Sequence, residues 1–329
     1  MAVLVCGGAG YIGSHTVACL LERNEEVLVF DNLVKGHRKA VSEAGFIQGD
    51  VRNRDALMDV FKKNDIEAVI NFAAYIEAGQ SVRMPLEYYE NNVGGAMCLL
   101  EVMKTAGVKK IVFSSTAAVY GVPVNIPIKE SDPTVPVNPY GETKLAVEKM
   151  LGWSDDAYGI KYTVLRYFNA AGAHISGKIG EDHDPETHLI PIVLKNAMGR
   201  GSGLKIFGDD YDTPDGTCIR DYIHVSDLAD AHHKALEHLR KNEKSDIFNL
   251  GNGKGFSNRQ IVESAMDVTG VRIPYEITDR RPGDPDILVA SSEKARTLLG
   301  WEPAHTDIGS IIGSAWKWHS NNPEGFSEK

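Results

Sequence analysis

The sequence contains no long apolar run and few cysteines. Within its 329 residues no apolar stretch is long enough to cross a bilayer, and no signal-peptide pattern is present. The four cysteines, at positions 6, 19, 98 and 218, have neither C-x-x-C nor metal-ligand spacing. We therefore expect free thiols, a cytoplasmic location and no membrane partner.

An excess of basic residues is also missing. The net charge is −10, with 35 Lys and Arg against 45 Asp and Glu, so nucleic acid and anionic membranes are unfavourable partners. Any phosphate must then be bound by local cations. Repeats and low-complexity segments are absent, and the 43% hydrophobic content supports a sizeable core in one large domain or two smaller ones.

A glycine-rich loop opens the chain. Ala2–Cys6 has the continuous apolar character of a short buried strand, and Ser14–Arg23 has helical spacing. Between them, Gly7, Gly10 and Gly13 permit a tight turn, a close approach to a pyrophosphate, and packing of the helix on the strand. The N-terminus of the helix offers free amides and partial positive charge to the phosphates. This segment predicts a dinucleotide site.

An acidic residue follows the second strand. Glu26–Phe30 reads as a strand and ends at Asp31, 18 residues after Gly13. A carboxylate there can bind the ribose hydroxyls and would repel a 2′-phosphate, which favours NAD over NADP. The alternative is an ordinary glycine turn and a strand-end aspartate. That alternative is the weaker one, because the glycine loop, the helix, the second strand and the acid follow one another in the order and spacing of a dinucleotide site.

Strands and helices alternate through the first half of the chain, which predicts an α/β fold with a doubly wound parallel sheet of Rossmann type. The other predicted strands are Gly45–Gln48, Ala68–Phe72, Lys110–Ser114 and Lys161–Arg166. The predicted helices are Asp55–Lys63, Leu86–Ala106 and Tyr140–Trp153. We assign residues 1–170, joined by about 219–247 as a strand and a helix, to the NAD-binding domain. A smaller C-terminal α/β domain takes 171–218 and 248–329.

A tyrosine and a lysine share one predicted helix face. Tyr140 and Lys144 are four residues apart, and a nearby ammonium favours phenolate, so we predict a fall in the pKa of Tyr140 from about 10 towards neutrality. Such a tyrosine can take a proton from a substrate hydroxyl. The hydroxyls of Ser114 and Thr116 follow a strand at the same sheet edge. A solvated Tyr/Lys pair and a strand-end threonine that bonds its own backbone are the alternatives.

These motifs form a resemblance to a known family. The other segments that carry it are Tyr167-Phe168-Asn169, Gly208-Asp209-Asp210-Tyr211, Arg220-Asp221-Tyr222-Ile223-His224-Val225 and Arg280-Arg281-Pro282-Gly283-Asp284. From residue 2 to about residue 319 the chain resembles the extended short-chain dehydrogenase/reductase family, and within it the sugar-nucleotide 4-epimerases.

The resemblance implies an activity. That activity is interconversion of UDP-glucose and UDP-galactose by NAD-dependent oxidation at C4′, rotation of the 4-keto sugar and return of hydride. Dehydratase relatives carry an acid pair after the strand-end threonine, whereas this chain has Ala117 and Ala118, which cannot transfer a proton. The open alternatives are a 4-epimerase of UDP-N-acetylglucosamine or UDP-glucuronate, a related decarboxylase or reductase, and a catalytically silent NAD-sensing protein.

The resemblance also implies site residues. The catalytic residues are Thr116, Tyr140 and Lys144. The cofactor-binding residues are Gly7, Gly10, Tyr11, Ile12, Gly13, Asp31, Asn32, Asp50, Val51, Phe72, Ala73, Ala74, Asn92, Ser114, Tyr140, Lys144 and Tyr167. The substrate-binding residues are Thr116, Tyr140, Phe168, Asn169, His188, Leu189, Lys205, Phe207, Arg220, Tyr222, Arg281 and Asp284.

Three residues depart from the family pattern. Ile76 stands where many relatives carry a lysine near the cofactor, and His188 stands where asparagine is frequent. Leu288 occupies the position where a bulky tyrosine excludes N-acetyl sugars and a small residue admits them. The preferred UDP-sugar is therefore left open.

Two further parts of the sequence predict a loop and a subunit contact rather than catalytic residues. The segment 182–188 holds two histidines and three acids without regular ligand spacing, so we predict no metal and a surface loop over the substrate. The helices predicted at Leu86–Lys104 and Tyr140–Trp153 are candidates for the seam of a homodimer, as in relatives.

Overall fold

The computed structural model describes residues 1–281 and 284–326. Pro282 and Gly283 of the Arg280–Asp284 motif, and Ser327–Lys329 of the predicted second domain, lie outside the described residues. The strands are β1 (Ala2–Cys6), β2 (Val27–Asp31), β3 (Gly45–Gln48), β4 (Ile66–Asn71), β5 (Lys110–Ser114), β6 (Lys161–Tyr167), β7 (Asn169–Ala171), β8 (Leu204–Phe207), β9 (Ile219–His224), β10 (Asp246–Leu250), β11 (Gly255–Ser257), β12 (Tyr275–Thr278) and β13 (Ile287–Leu288).

The helices lie between these strands. They are α1 (Tyr11–Glu22), α2 (Arg54–Lys63), α3 (Ala78–Arg83), α4 (Pro85–Tyr88), α5 (Gly95–Ala106), α6 (Pro139–Tyr158), α7 (Leu189–Ala197), α8 (Val225–Asn242), α9 (Asn258–Thr269), α10 (Glu293–Leu299) and α11 (Ile308–Asn321). Short 3₁₀ turns lie at Arg38–Val41 and Ala117–Tyr120. In the described residues no helix is both long and apolar enough to span a bilayer.

A seven-stranded sheet organises the molecule. Its order is β10-β6-β5-β4-β1-β2-β3, and every neighbouring pair is parallel, which confirms the predicted doubly wound sheet. The strand order reverses between β1 and β4, where a crevice opens beyond the carboxyl ends of the strands. All five residues of β1 are buried, as expected of a central strand covered on both faces.

Helices cover both faces of this sheet. On one face, Val17 and Leu20 of α1 and Leu228 of α8 pack in one cluster against β1 and β2. On the other face, Leu57 of α2 and Leu99 of α5 pack against β4 and β5 in a second cluster. Each helix packs its apolar side against the sheet, so both faces of the sheet are covered and the carboxyl ends of the strands are fixed in position.

The helix predicted at Leu86–Ala106 is confirmed with one irregularity, because the backbone is helical without a break from Pro85 to Ala106. The structure has α4, a π-helical segment at Tyr89–Gly94, and then α5. The wider turn brings the Asn92 side chain to the chain after β4, where its Oδ1 accepts from the amide of Tyr75 at 2.7 Å and its Nδ2 donates to the carbonyl of Tyr75 at 3.1 Å. This tertiary contact, invisible to sequence periodicity, accompanies the local change from α-helical to π-helical geometry within the continuous helix.

A second set of strands lies beyond the main sheet. β9 pairs with β7, β11 and β13, and β8 pairs with β12, while α7, α9 and α11 pack on them around a separate apolar cluster. The expectation that the strand within 219–247 joins the large sheet is wrong for β9, because its partners belong to this smaller sheet. α8 packs against α1, and β10 supplies the seventh strand.

Candidate active site

A deep cleft lies at the carboxyl edge of the large sheet. It holds about 1720 Å³ of empty space, part of it open to solvent. Of the predicted cofactor residues, those that line it are Gly7, Gly10, Tyr11, Ile12, Gly13, Asp31, Asn32, Val51, Phe72, Ala73, Ala74, Ser114, Tyr140, Lys144 and Tyr167. The fold therefore gathers the ends of β1, β2, β4, β5 and β6 around one space.

The glycine loop packs too closely for any side chain. Gly7 has a left-handed backbone with φ of 71°, and a Cβ there would lie 2.6 Å from the Ala73 amide nitrogen. A Cβ on Gly13 would lie 2.3 Å from the carbonyl oxygen of Gly7, so α1 sits directly on the turn. These contacts explain why glycine is required at both positions.

The N-terminus of α1 faces the cleft with free amides. Its N-cap is Gly10, which has no side chain to bond them, and the first turn contains no acidic residue. Within the described residues, the amides of Tyr11, Ile12 and Gly13 have no protein acceptor. Unsatisfied amides at a positive helix end suit a pyrophosphate, so this cradle fits a dinucleotide.

Asp31 supplies the acidic side of the cleft. It ends β2, and its Oδ2 accepts from the Ala9 amide at 2.9 Å while its Oδ1 accepts from the Leu33 amide at 2.8 Å. Burial raises the pKa of Asp31, against the lowering effect of these amides. The remaining lone pairs can accept from ribose hydroxyls, which fits NAD.

Two predicted cofactor residues stand behind the wall of the cleft. Asp50 accepts from Asn32 Nδ2 at 3.0 Å and pairs with Arg52 at 2.7 Å, and the Arg52 bonds hold the pKa of Asp50 below its ordinary value. Asn92 bonds Tyr75 and donates to Thr143 Oγ1 at 3.0 Å. Both support lining residues rather than lining the space themselves.

Tyr140 and Lys144 lie together in the cleft, on the first turns of α6. Asn138 caps this helix through its Oδ1, which accepts from the Gly141 amide at 2.9 Å, and proline follows the cap. The Tyr140 amide donates to Ser81 Oγ at 3.1 Å. Lys144 Nζ donates to the Ser114 carbonyl at 2.8 Å, and both side chains are thereby placed at the end of β5.

The predicted fall in the pKa of Tyr140 is wrong when only the groups of the protein act on this residue. Burial raises it to about 12, against a lowering hydrogen bond from Thr116. Burial likewise lowers the pKa of Lys144 to about 7, against the raising charge of Glu148. Desolvation is the largest cause of both shifts, so each group is driven towards its neutral form, whereas the prediction relied on the charge of Lys144.

A buried ion pair fixes α6 to the sheet. Arg166 of β6 donates from Nη2 to Glu148 Oε2 at 2.5 Å and from Nη1 to Tyr120 at 2.8 Å. Glu148 also accepts from Ser115 Oγ at 2.5 Å. Since Glu148 lies one turn after Lys144, the pair holds the helix that carries both candidate catalytic side chains.

The predicted substrate residues divide into two groups. Those that line the cleft are Thr116, Tyr140, Phe168, Asn169 and His188. Those that do not line it are Leu189, Lys205, Phe207, Arg220, Tyr222, Arg281 and Asp284. The sequence did not separate these two groups, because which residues line the cleft depends on how distant segments pack together in the fold.

The second group contains its own cationic cluster. Arg220 donates to Asp284 at 2.9 Å, and the Arg281 guanidinium lies 4.0 Å over the ring of Phe207. Tyr222 is buried, whereas Lys205 is exposed and its Nζ lies 3.8 Å from Glu276 Oε2. The guanidinium of Arg220 therefore already has an acidic partner within the protein.

The cleft also contains residues that the sequence did not indicate. Lys35, Tyr75, Glu77, Glu181 and His183 line it as well. For Glu181 and His183 a local signal existed, since Glu-x-His occurs there and again at Glu186-x-His188.

The structure also shows where two of the residues that depart from the family pattern lie. Ile76 lines the cleft and is 42% exposed, so no lysine charge stands there. Leu288 and Phe168 both pack against the apolar cluster around Ala117 and Tyr120, and Phe168 also lines the cleft.

Comparison with known proteins decides the family. A family model described as "NAD dependent epimerase/dehydratase family" matches residues 3–251. The chain belongs to the NAD-dependent epimerase/dehydratase family. A UDP-glucose 4-epimerase from Halalkalibacterium halodurans is 60% identical over 327 residues, 99% of this chain and 98% of that protein.

Solved structures of the NAD-dependent epimerase/dehydratase family agree. A crystal structure of a UDP-glucose 4-epimerase has 52% identity, a TM-score of 0.98 and full coverage of both chains. The UDP-glucose 4-epimerase of Bifidobacterium longum, solved in complex with NAD⁺ and UDP, has 40% identity and a TM-score of 0.94, over 99% of this chain and 100% of that chain. These findings confirm the resemblance, the fold class and NAD as cofactor.

Proposed function

We propose that this chain is an isomerase that interconverts UDP-glucose and UDP-galactose. The observation that carries the proposal is the meeting of Thr116, Tyr140 and Lys144 in a cleft whose opposite wall is a dinucleotide cradle. Ala117 and Ala118 follow Thr116 as a 3₁₀ turn and offer no further proton donor. The relatives named UDP-glucose 4-epimerase support the same reaction.

The glycine loop and Asp31 would hold NAD. The amides of Tyr11 to Gly13 suit the pyrophosphate, and the Asp31 carboxylate suits a ribose. When bound, NAD supplies the chemistry of taking hydride from C4′ of the sugar and giving it back. The protein residues orient the sugar and move the proton.

Tyr140 is the proposed acid and base. Its phenol would exchange a proton with the 4′-hydroxyl while the Thr116 hydroxyl, which lines the same cleft, would steady the same oxygen. A phenol with a pKa of about 12 is a poor base near neutrality, so positive charge must stabilise the phenolate during turnover. Lys144 is the buried cation closest to this task, one helical turn away.

The nucleotide would be held while the sugar turns. Both faces of C4′ must be presented in turn to one side of the cleft, so the contacts must be on the UDP part. We assign this role to Asn169 and His188 in the cleft, together with Arg220, Arg281 and Phe207 beside it. Arginine forks suit a pyrophosphate, and a swing of Arg220 from Asp284 to the ligand would complete the site.

Leu288 bears on the alternative sugars. It packs against the same apolar cluster as Phe168, which lines the cleft, and leucine is intermediate between the residues that exclude and admit an N-acetyl group. UDP-N-acetylglucosamine therefore stays a candidate substrate of the same mechanism.

Two organisational proposals accompany the function. We assign residues 1–170 and about 219–247 to NAD binding, and 171–218 with 248–329 to the sugar nucleotide, with β9 as the strand shared with the second unit. We also propose a homodimer. Leu86, Met97 and Trp153, on the touching helices α4, α5 and α6, are 79%, 51% and 73% exposed, which supports a seam there.

Product analysis tests the function. The purified protein, without added cofactor, is mixed separately with UDP-glucose, UDP-N-acetylglucosamine and UDP-glucuronate and followed by proton NMR. We expect UDP-galactose to form from UDP-glucose until an equilibrium mixture is reached, without net oxidation. No epimer in any tube, even after NAD is supplied, would defeat the proposal.

A further inference from the structure

Four potential metal ligands meet in the loop before α7. Glu181, His183, Glu186 and His188 each bring one ligand atom to within 4.8 Å of all the others. His188 Nδ1 lies 2.8 Å from Glu181 Oε1 and 3.0 Å from Glu186 Oε1, and His183 Nδ1 lies 3.2 Å from Glu181 Oε1. They form a compact group on the wall of the cleft beside Tyr11.

The two carboxylates of this group are buried, and their ion-pair partners are histidines. The side chains of Glu181 and Glu186 are each 5% exposed. Within the described residues their ion-pair partners are His183 and His188, and no lysine or arginine reaches them. Burying two negative charges is unfavourable unless positive charge compensates them.

One carboxylate oxygen has no hydrogen-bond donor. Glu186 Oε1 accepts from the amides of Thr187 and His188, each at 2.8 Å, and contacts His188 Nδ1. Glu186 Oε2 is buried and accepts no hydrogen bond, although it faces the group and lies 3.8 Å from His183 Nδ1. A buried acceptor left open in this way points to a missing positive ligand.

We propose that Glu181, His183, Glu186 and His188 bind a divalent metal ion of the zinc class. Two imidazoles and two carboxylates make a borderline donor set, which suits zinc better than magnesium or calcium. Ligand atoms around tetrahedral zinc lie about 3.4 Å apart, given bonds of about 2.1 Å. The recorded contacts of 2.8 to 3.8 Å bracket this separation, and no pair of ligand atoms lies farther apart than 4.8 Å, so binding requires movements of about 1 Å. This departs from the prediction of no metal.

The surrounding contacts hold the ligand loop in position. Trp318 Nε1 donates to the Glu181 carbonyl at 3.1 Å, and the Phe326 amide donates to Asp182 Oδ2 at 2.8 Å. The ring of His183 lies edge-on to that of Tyr11, at 6.1 Å between centroids. A bound metal would therefore tie this loop, and His188 with it, to the wall of the cleft. The role is structural, since no substrate step requires it.

Metal binding can be measured without reference to activity. The full-length protein is stripped with a chelator and titrated with zinc by calorimetry, and with Co²⁺ by visible spectroscopy. We expect one zinc per chain, a rise in Tm on binding, and the intense Co²⁺ absorption of a tetrahedral site. Glu186→Gln and His183→Gln should each weaken zinc binding at least tenfold. Asp184→Asn, an exposed change in the same loop, should leave it unchanged.

The comparison of variants distinguishes folding from ligation. Circular dichroism of the stripped proteins should be alike, because only the ligands change. Zinc that binds the wild-type protein no more tightly than Glu186→Gln, or that does not raise its Tm, would overturn the proposal and leave a proton-shared Glu/His network. If Glu186→Gln does not fold, the spectrum of Co²⁺ in the wild-type protein and the His183→Gln variant decides the matter.

Discussion

Lys144 Nζ donates to the backbone carbonyl of Ser114 at 2.8 Å, so the end of β5 and the first turns of α6 are joined at the centre of the cleft. The ammonium is 3% exposed by residue and has no carboxylate at bonding distance within the described residues. Because no carboxylate among these residues bonds this ammonium, burial lowers its pKa to about 7 and weakens the charged form.

Tyr140→Phe should lower kcat by about 10³-fold, within the range of 10²–10⁴ typical for loss of a general acid–base group. The ring and its packing stay, so NAD content and Tm should change little. Proton NMR of UDP-glucose epimerisation, with cofactor content measured on the same sample, gives both values. Tyr158→Phe, on the exposed end of α6, is the control. Turnover near that of the control would remove Tyr140 from the mechanism.

Lys144 should make stability depend on pH. Burial lowers its pKa from 10.5 to about 7, so between these values the unfolded chain binds more protons than the folded chain. The free energy of unfolding should therefore rise with pH from about 7 to about 10, by up to about 1.4 kcal/mol per unit from this residue. Above pH 10 the raised pKa of Tyr140 acts in the opposite direction.

Lys144→Met tests this linkage because it keeps the apolar stem. Urea unfolding at pH 7, 8 and 9 should show a smaller upward slope for the variant than for the wild type. Lys149→Met, exposed on the same helix, should retain the wild-type slope. Parallel slopes for Lys144→Met and wild type would contradict the lowered pKa.

Asp31→Asn should weaken NAD binding by about 10- to 100-fold, because a charge-assisted hydrogen bond contributes about 1.5–3 kcal/mol. NADP binding should improve relative to NAD, since the carboxylate no longer repels a 2′-phosphate. Calorimetric titration of stripped protein with both cofactors measures the ratio. Asp59→Asn, on the exposed face of α2, is the control. An unchanged ratio would show that Asp31 does not reach the ribose.

Arg166→Met should cost about 3–5 kcal/mol of stability, because it leaves the Glu148 carboxylate buried without its partner. The double variant with Glu148→Met should recover part of this loss. Urea unfolding of the four members of the cycle measures the coupling. A stability loss of the double variant equal to the sum of the losses of the two single variants would mean that the pair is uncoupled.

Trp153→Glu should convert the proposed dimer to a monomer, because it places a charge within an apolar seam. Light scattering after size-exclusion chromatography gives the mass. Ile175→Glu, which is also highly exposed but lies outside these helices, should keep the wild-type mass. A wild-type protein that is monomeric at every concentration tested would reject the seam.

The amino-acid sequence by itself determined the features that depend on local pattern. β1, β3 and β5 begin and end where they are predicted, Gly7 and Gly10 lie in the predicted turn, and Gly13 lies in the first turn of α1. Asp31 lies in the cleft because it ends a parallel strand, and the carboxyl ends of all the parallel strands meet at the same edge of the sheet. Tyr140 and Lys144 share a helix face because their spacing is one turn, whatever the rest of the chain does.

The tertiary structure decided what depends on residues that are distant in sequence. The π-helical segment accompanies the bonds between Asn92 and Tyr75, and β9 joined the smaller sheet because its partners come from three other segments. The pKa of Tyr140 moved against expectation because burial, which no local pattern reports, raises it. The group around Glu181 formed because a folded loop, and not regular spacing, brought its carboxylates to two histidines.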